Sequence, residues 1–272
     1  MVMMGLCACD PEEPIPSFIY IKPAVLSIEP GQGSASHKIT DVWVYENNMP
    51  AGVFELPATV PILTQDPVTI TLLPGIQVNG ISATRGIYPF YSGYDENMSL
   101  DALATDTLEP VFSYSSNAVF RFVRDFETSS GFEAKDGITQ LVYMTGTGEE
   151  FEGERSLKVH IESPLSGFQI GTTDLESFDV ENLTDAYLEL NYKCTAPFIV
   201  YLRVVRDGVS SSADILQINK KETWNKIYVN LQQAMRSSQA QFFEVGFIAR
   251  QLPDGETMAD FYFDNIKLIY SE

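Results

Sequence analysis

The sequence predicts an all-β protein built as two β-sandwich modules, and three observations predict it. Apolar side chains recur at every second position in short runs: Phe198, Val200, Leu202 and Val204 share one parity, with Tyr201 and Arg203 on the other. Turn formers are plentiful, with 18 Gly and 15 Pro in 272 residues. Helical spacing is confined to one short stretch, 231–237. Period-two alternation sends successive side chains to opposite faces, so each run is a half-buried strand that needs a second layer over its apolar side. Hydrophobic residues at 44% and charged residues at 20% are the proportions of a folded chain rather than a disordered one.

In chain order, residues 1–9 are apolar, residues 10–17 are acidic and proline-rich, and the first module runs over 18–114. There Ile39-Thr40-Asp41-Val42-Trp43-Val44-Tyr45, the breaker Glu46-Asn47-Asn48-Met49-Pro50 and the return Gly52-Val53-Phe54-Glu55-Leu56 predict a hairpin. A further strand, 67–73, is expected to close at Pro74-Gly75, and Asn79-Gly80 marks a tight turn. Arg85, one of few basic residues in this module, is either an ion pair holding strand ends or an anchor for a partner's carboxylate. Ser115-Ser116-Asn117 forms a polar junction to the second module, 118–272. In that module Leu188, Leu190 and Tyr192 alternate with Glu189, Asn191 and Lys193. Phe243, Val245, Phe247 and Ala249 likewise oppose Phe242, Glu244, Ile248 and Arg250.

Charge excludes one class of partner. There are 17 Lys+Arg against 37 Asp+Glu, a net of −20, spread over both modules, so no basic patch exists to neutralise phosphates and nucleic acid is not an expected partner. Beyond the first few residues no apolar run approaches the ~20 needed to cross a bilayer.

Leu6-Cys7-Ala8-Cys9 resembles a bacterial lipobox, in which the last Cys is lipidated and becomes the mature N-terminus. The resemblance implies that residues 1–9 are the remainder of a signal peptide. Eight residues without a basic side chain are shorter than such a peptide needs, so either a start codon lies upstream, which is the expectation, or the motif is accidental and residues 1–9 are an apolar tail with an ordinary thiol. Asp10-Pro11-Glu12-Glu13-Pro14 resembles the export signal of Bacteroidota surface lipoproteins, and is equally readable as a plain solvated tether. The resemblance implies an outer-membrane, lipid-anchored, cell-surface location. The run Leu73-Pro74-Gly75-Ile76, Asn79-Gly80-Ile81-Ser82-Ala83-Thr84-Arg85 and Tyr88-Pro89-Phe90-Tyr91 is similar to uncharacterised outer-membrane lipoproteins of the same group and implies no activity.

Four landmarks of the second module resemble the galactose-binding-like jelly rolls typical of carbohydrate-binding modules. They are Asp125-Phe126-Glu127, Gly153-Glu154-Arg155-Ser156-Leu157-Lys158-Val159, Trp224-Asn225-Lys226-Ile227-Tyr228-Val229-Asn230-Leu231 and Phe263-Asp264-Asn265-Ile266-Lys267-Leu268. The resemblance implies a jelly roll and a possible structural Ca2+ where first and last strands meet. Glu127 and Asp264 are then the metal side chains, with carbonyls near Glu154 as helpers, since calcium takes hard oxygen donors. In the alternative, Asp264 hydrogen-bonds a neighbouring loop and Glu127 is solvated.

Catalytic constellations are poorly supported. The two histidines, His37 and His160, lack an obvious partner in local spacing, and His160 in the 157–161 strand reads as a satisfied sheet histidine. Glu176, Asp179 and Glu181 are spaced three then two, so Glu176 points away from the other two unless a bulge intervenes. Glu149, Glu150, Glu152 and Glu154 read as a solvated loop. Binding is better supported: a sugar needs a flat aromatic and a few polar groups, and Asn191, Tyr201, Arg203, Phe242 and Arg250 share the polar parity. Trp224 is expected in the core. The expected function is non-catalytic glycan binding by the second module at the cell surface. The alternative is a scaffold subunit of an outer-membrane protein complex, and a glycan hydrolase is the weaker third.

Overall fold

The computed structural model describes residues 15–63, 67–128, 131–146 and 148–272. Cys9 and most of the 10–17 tether lie outside the described residues. The first module holds β1 (Ser17–Ile21), β2 (Val25–Ser27), β3 (Asp41–Glu46), β4 (Met49–Glu55), β5 (Ala58–Ile62), β6 (Val68–Gln77), β7 (Arg85–Ile87), β8 (Tyr94–Met98), β9 (Thr105–Leu108) and β10 (Val111–Ser113). Its sheets run β5-β1-β9, β10-β2 and β4-β3-β6-β7, with β8 also on β6.

The hairpin is there, and its turn is tighter than the breaker implied. Asn47 and Asn48 both take positive φ, 50° and 66°, the backbone that a two-residue turn needs to match strand twist. The return strand therefore begins at Met49. Pro50 is accepted because β4 is an edge strand. Pro74-Gly75 does not end its strand: β6 continues to Gln77. Residues 68–72 pair with β8 and 75–77 with β7, so Pro74 falls in the gap where no ladder donor is needed. Two ladders, β1 with β9 and β2 with β10, are parallel.

The second module contains β11 (Val119–Arg124), β12 (Phe132–Ala134), β13 (Leu141–Thr145), β14 (Arg155–Glu162), β15 (Phe168–Thr172), β16 (Glu176–Ser177), β17 (Asp185–Cys194), β18 (Phe198–Arg206), β19 (Val209–Ile218), β20 (Lys221–Asn230), the helix α1 (Gln232–Ser238), β21 (Phe242–Ala249) and β22 (Met258–Ser271). Sheet one is β13-β14-β22-β17-β20 with β11 also on β22, and sheet two is β12-β15-β21-β18-β19 with β16 also on β21. Together they are a jelly-roll sandwich whose core includes Leu188, Leu190, Val200, Leu202, Phe247, Phe261 and Phe263. A bulge at Asn265, φ 46°, switches the parity of β22. Phe261 and Phe263 before it and Ile266 and Leu268 after it all face inward, while Asp264 and Lys267 take the outer side.

The first module sits on the outer face of sheet one. Tyr187, Tyr228 and Ile269 of sheet one belong to its apolar cluster, with Tyr88, Phe90, Tyr91 and Phe112. The Asn79-Gly80 turn is a hook: the Asn79 amide donates to the Tyr228 carbonyl at 2.9 Å, and the Asn230 amide donates to Asn79 Oδ1 at 2.8 Å. At the centre lies Glu189, fully buried. Lys226 Nζ is 2.6 Å from its Oε2, and the hydroxyls of Tyr88 and Tyr114 donate to Oε1 at 2.8 and 3.0 Å. Burial pushes this carboxyl up, but the charges of Lys226 and Lys267 and the hydrogen bonds outweigh it and hold it below the ordinary value. Burial drops Lys267 to about 7, against a smaller opposing pull from Glu189.

Candidate functional site

With one outer face of the sandwich partly covered by the first module, the face left open is that of sheet two. Antiparallel register sets its side chains side by side: Arg203 lies opposite Glu244, Tyr201 opposite Gly246, and Gly246 opposite Gly171. Those two glycines make the close packing possible. A Cβ on Gly171 would stand 2.8 Å from the Tyr201 hydroxyl and 3.0 Å from Lys135 Cε, and one on Gly246 would run into the Tyr201 ring. Tyr201 therefore lies against the sheet, its hydroxyl donating to the Ile170 carbonyl and to Glu244 Oε1, both at 3.2 Å. Burial pushes that phenol up to about 12.

Glu244 is the pivot of the face. It is 1% exposed, yet it accepts from Arg203 Nε at 3.0 Å and Nη2 at 2.6 Å, and Lys135 Nζ lies 3.0 Å from Oε2. Both guanidinium bonds converge on the one oxygen, Oε2; they are charge-assisted, and hydrogen bonding to Glu244 raises the pKa of Arg203. Arg250, just past the other end of β21, makes two 2.7 Å bonds to Asp214. Hydrogen bonding from Arg250 lowers the Asp214 carboxyl. Beside Arg250 a cleft of about 470 Å³ is lined by Pro197, Ile199, Gln217, Ile248 and Leu252 among others. Phe242 marks the opposite end, 42% exposed; it stands eight positions from Arg250 along the chain, roughly 26 Å of extended strand.

Four of the five expected ligand residues thus share sheet two, and two corrections follow. Asn191 is on sheet one, buried under the first module with its amide donating to Ser36 Oγ at 2.9 Å. Parity identifies a face, but not which sheet carries it or what covers it. Tyr201 shares the open face but is buried, so of the two aromatics expected to stack on a sugar only Phe242 is exposed. Sequence reasoning missed Glu244 and Lys135 as members. The signal for Glu244 was its place between Phe242 and Arg250 in the polar parity of β21; Lys135 follows β12, a strand too short to show alternation.

Trp224 is not in the core. It lies half-buried on the outer side of sheet one, its indole N–H donating to the Glu149 carbonyl at 3.1 Å, beside Phe151 and Tyr262. Arg85 is an internal ion pair with buried Asp41 and with Glu55. His160 has a partner across the β14–β22 ladder, Asp260 Oδ1 at 2.7 Å. Of the acidic trio, Glu176 bonds Arg121 at 2.5 Å, while Asp179 accepts from the Glu181 amide and the Asn182 side chain.

Glu127 and Asp264 are brought near one another. Glu127 is not simply solvated: its Oε1 accepts from the Glu154 and Arg155 amides at 2.9 and 3.0 Å. Asp264 accepts from the Ser156 hydroxyl at 2.6 Å and the Asn265 amide at 2.7 Å. Burial, with the Glu127 charge adding, pushes Asp264 up to about 7. Asp125, Glu127 and Glu152 line one small cavity with Ser34 and Asn265. Such oxygen donors suit a hard cation. Among the described residues no three Asp, Glu, His or Cys have metal-holding geometry, so a cation there would depend on backbone carbonyls as well.

No family model matches the chain, and no curated protein does. Among solved structures it is similar to a family 30 carbohydrate-binding module, with TM-score 0.42, 13% identity, and coverage of 57% of this chain and 88% of that one. It is also similar to the family 11 module of the cellulosomal cellulase Lic26A-Cel5E of Clostridium thermocellum, with TM-score 0.39, 13% identity, and coverage of 56% and 95%. A family 29 module gives TM-score 0.34, 10% identity, and coverage of 57% and 92%. At these scores no ligand and no residue role transfers between the chains.

Proposed function

We propose that this is a non-catalytic glycan-binding protein, held at a bacterial cell surface by a lipid on Cys9 and the short acidic tether, with the outer face of sheet two as its ligand surface. The observation that supports it is the asymmetry of the sandwich. One outer face is partly covered by the first module, while the other is open and carries polar groups already locked in place by Glu244, Asp214 and the paired glycines. Fixed donors of this kind bind hydroxyls without losing side-chain freedom on association. Phe242 supplies apolar contact at one end and the cleft beside Arg250 receives the chain at the other.

The same reading places a calcium among Glu127, Asp264 and neighbouring carbonyls, where it would tie the bulge of β22 to the 152–155 loop.

Binding of the protein to a broad glycan array, repeated with Phe242→Ala and Arg203→Ala, tests the proposal. Binding lost in both variants, with melting temperature of Phe242→Ala unchanged, is the expected result. Co-purification with an outer-membrane protein and no glycan signal would favour the scaffold reading instead. Mass spectrometry of the mature N-terminus tests the lipid on Cys9 separately.

A further inference from the structure

We infer that the glycan is acidic, and that its carboxylate docks on Lys135 and Arg203 in the place that Glu133 holds in the free protein. This inference rests on the glycan-binding reading of sheet two and narrows it to a chemical class.

The groups are layered. Glu244, 1% exposed, lies lowest; Lys135 and Arg203, with side chains 17% and 33% exposed, lie over it. An approaching group therefore meets two cations before the carboxylate that balances them. Neither cation is saturated. The Lys135 ammonium has three N–H groups and, among the described residues, two carboxylate contacts, Glu244 at 3.0 Å and Glu133 at 2.7 Å. The Arg203 guanidinium has five; two engage Glu244, and a third reaches Ser210 Oγ only at 3.4 Å. Two buried-side charges thus share one buried counter-charge, and the second counter-charge is Glu133.

Glu133 is a poor permanent partner. Its side chain is 53% exposed, on the edge strand β12, and it holds Lys135 through a single solvent-facing bond, a kind of ion pair that contributes little to stability. It marks where a carboxylate sits, and a ligand carboxylate reaching both Lys135 and the outer N–H groups of Arg203 gains a second, forked contact that Glu133 does not make. The net charge of −20 repels densely charged polymers at long range. The ligand is accordingly a sugar with an isolated carboxylate, a uronic or sialic-type residue among neutral ones, rather than a polyanion.

The test measures binding of the intact protein to sialyllactose and to a xylobiose carrying a single glucuronic acid residue, each beside its methyl ester, together with a broad array of neutral glycans. We expect at least one acid form to bind roughly tenfold more tightly than its ester. Glu133→Gln, an exposed change that leaves the fold alone, should tighten the acid form several-fold (about threefold or more), and Lys135→Gln should erase the preference. A purely structural Lys135–Glu133 pair would not give these opposite signs. Neutral glycans or esters bound as tightly as the acids overturn this inference and leave the glycan reading standing; no binding to any glycan overturns both.

Discussion

Glu189 on sheet one and Glu244 on sheet two are built alike and used differently. Each is a buried carboxylate on the outer side of a central strand, each lies near two cations, and each accepts a tyrosine hydroxyl. Over Glu189 the remaining space is closed by Tyr88, Tyr91 and Tyr114 of the first module. Over Glu244 only its own cations intervene before solvent. The same device is an internal joint where a second module covers it and an open cluster of charges where nothing does. A buried acid with two cations is therefore no evidence of function by itself; what lies above it decides.

The comparison can be broken first at Glu189. Glu189→Ala leaves Lys226 and Lys267 buried without their anion and should cost about 3–5 kcal/mol in denaturant unfolding. Glu244→Ala should cost less, about 1–3 kcal/mol, because Arg203 and Lys135 can turn to water. Equal losses would show that the two sites are equally enclosed, against the structure.

The joint should also make stability depend on pH. Lys267 falls from 10.5 to about 7 on burial. Between those values the unfolded chain holds a proton that the folded one lacks, so this group makes stability rise with pH from about 7 towards 10. Lys267→Met should flatten that rise in melting curves. Glu189 works from the acid side: its depressed carboxyl contributes stability above its ordinary 4.5 that is lost as pH falls through the lower folded value.

A smaller effect concerns Asp264, raised from 3.8 to about 7. Here the folded state keeps the proton, so stability falls as pH climbs between those values, and calcium should reverse the fall. Adding calcium at neutral pH should raise the melting temperature of the native protein and not of Asp264→Asn; chelation without effect on the native protein would remove the metal from the proposal. The smallest change is Phe242→Ala, within about 0.5 kcal/mol of native stability while glycan binding drops, because the ring is largely outside the core.

Much of the architecture was legible from short-range pattern. The alternation in 198–206 and 241–250 placed Val200, Leu202, Phe243 and Phe247 inward, as they are, and Asn47-Asn48 carried the turn chemistry of the hairpin. The helix 231–237 fell within a residue of α1. What failed was information that short-range pattern does not contain. Asn191 and Tyr201 have equivalent parity, yet one faces the first module and the other the open side, since sheet membership is a long-range property. Pro74 looked like a terminator because its neighbours on the far side, two separate strands with a gap between them, are more than ten residues away in sequence. Asn79-Gly80 was readable as a turn but not as a hook. Glu244 was readable as a polar-face residue, and its importance depends on Lys135, which no periodicity ties to it.

The two-sided pairing of β1 has a mechanical consequence. This strand begins at Ser17, close behind the acidic tether, and is matched along its length to β5 by five residue pairs and to β9 by four. Because ladder bonds lie across the strands, a pull on its N-terminal end along its axis loads both ladders in shear, and they must yield together rather than one rung after another. A protein fastened at that end while gripping a polymer in flowing liquid would take the drag in the direction this module resists best.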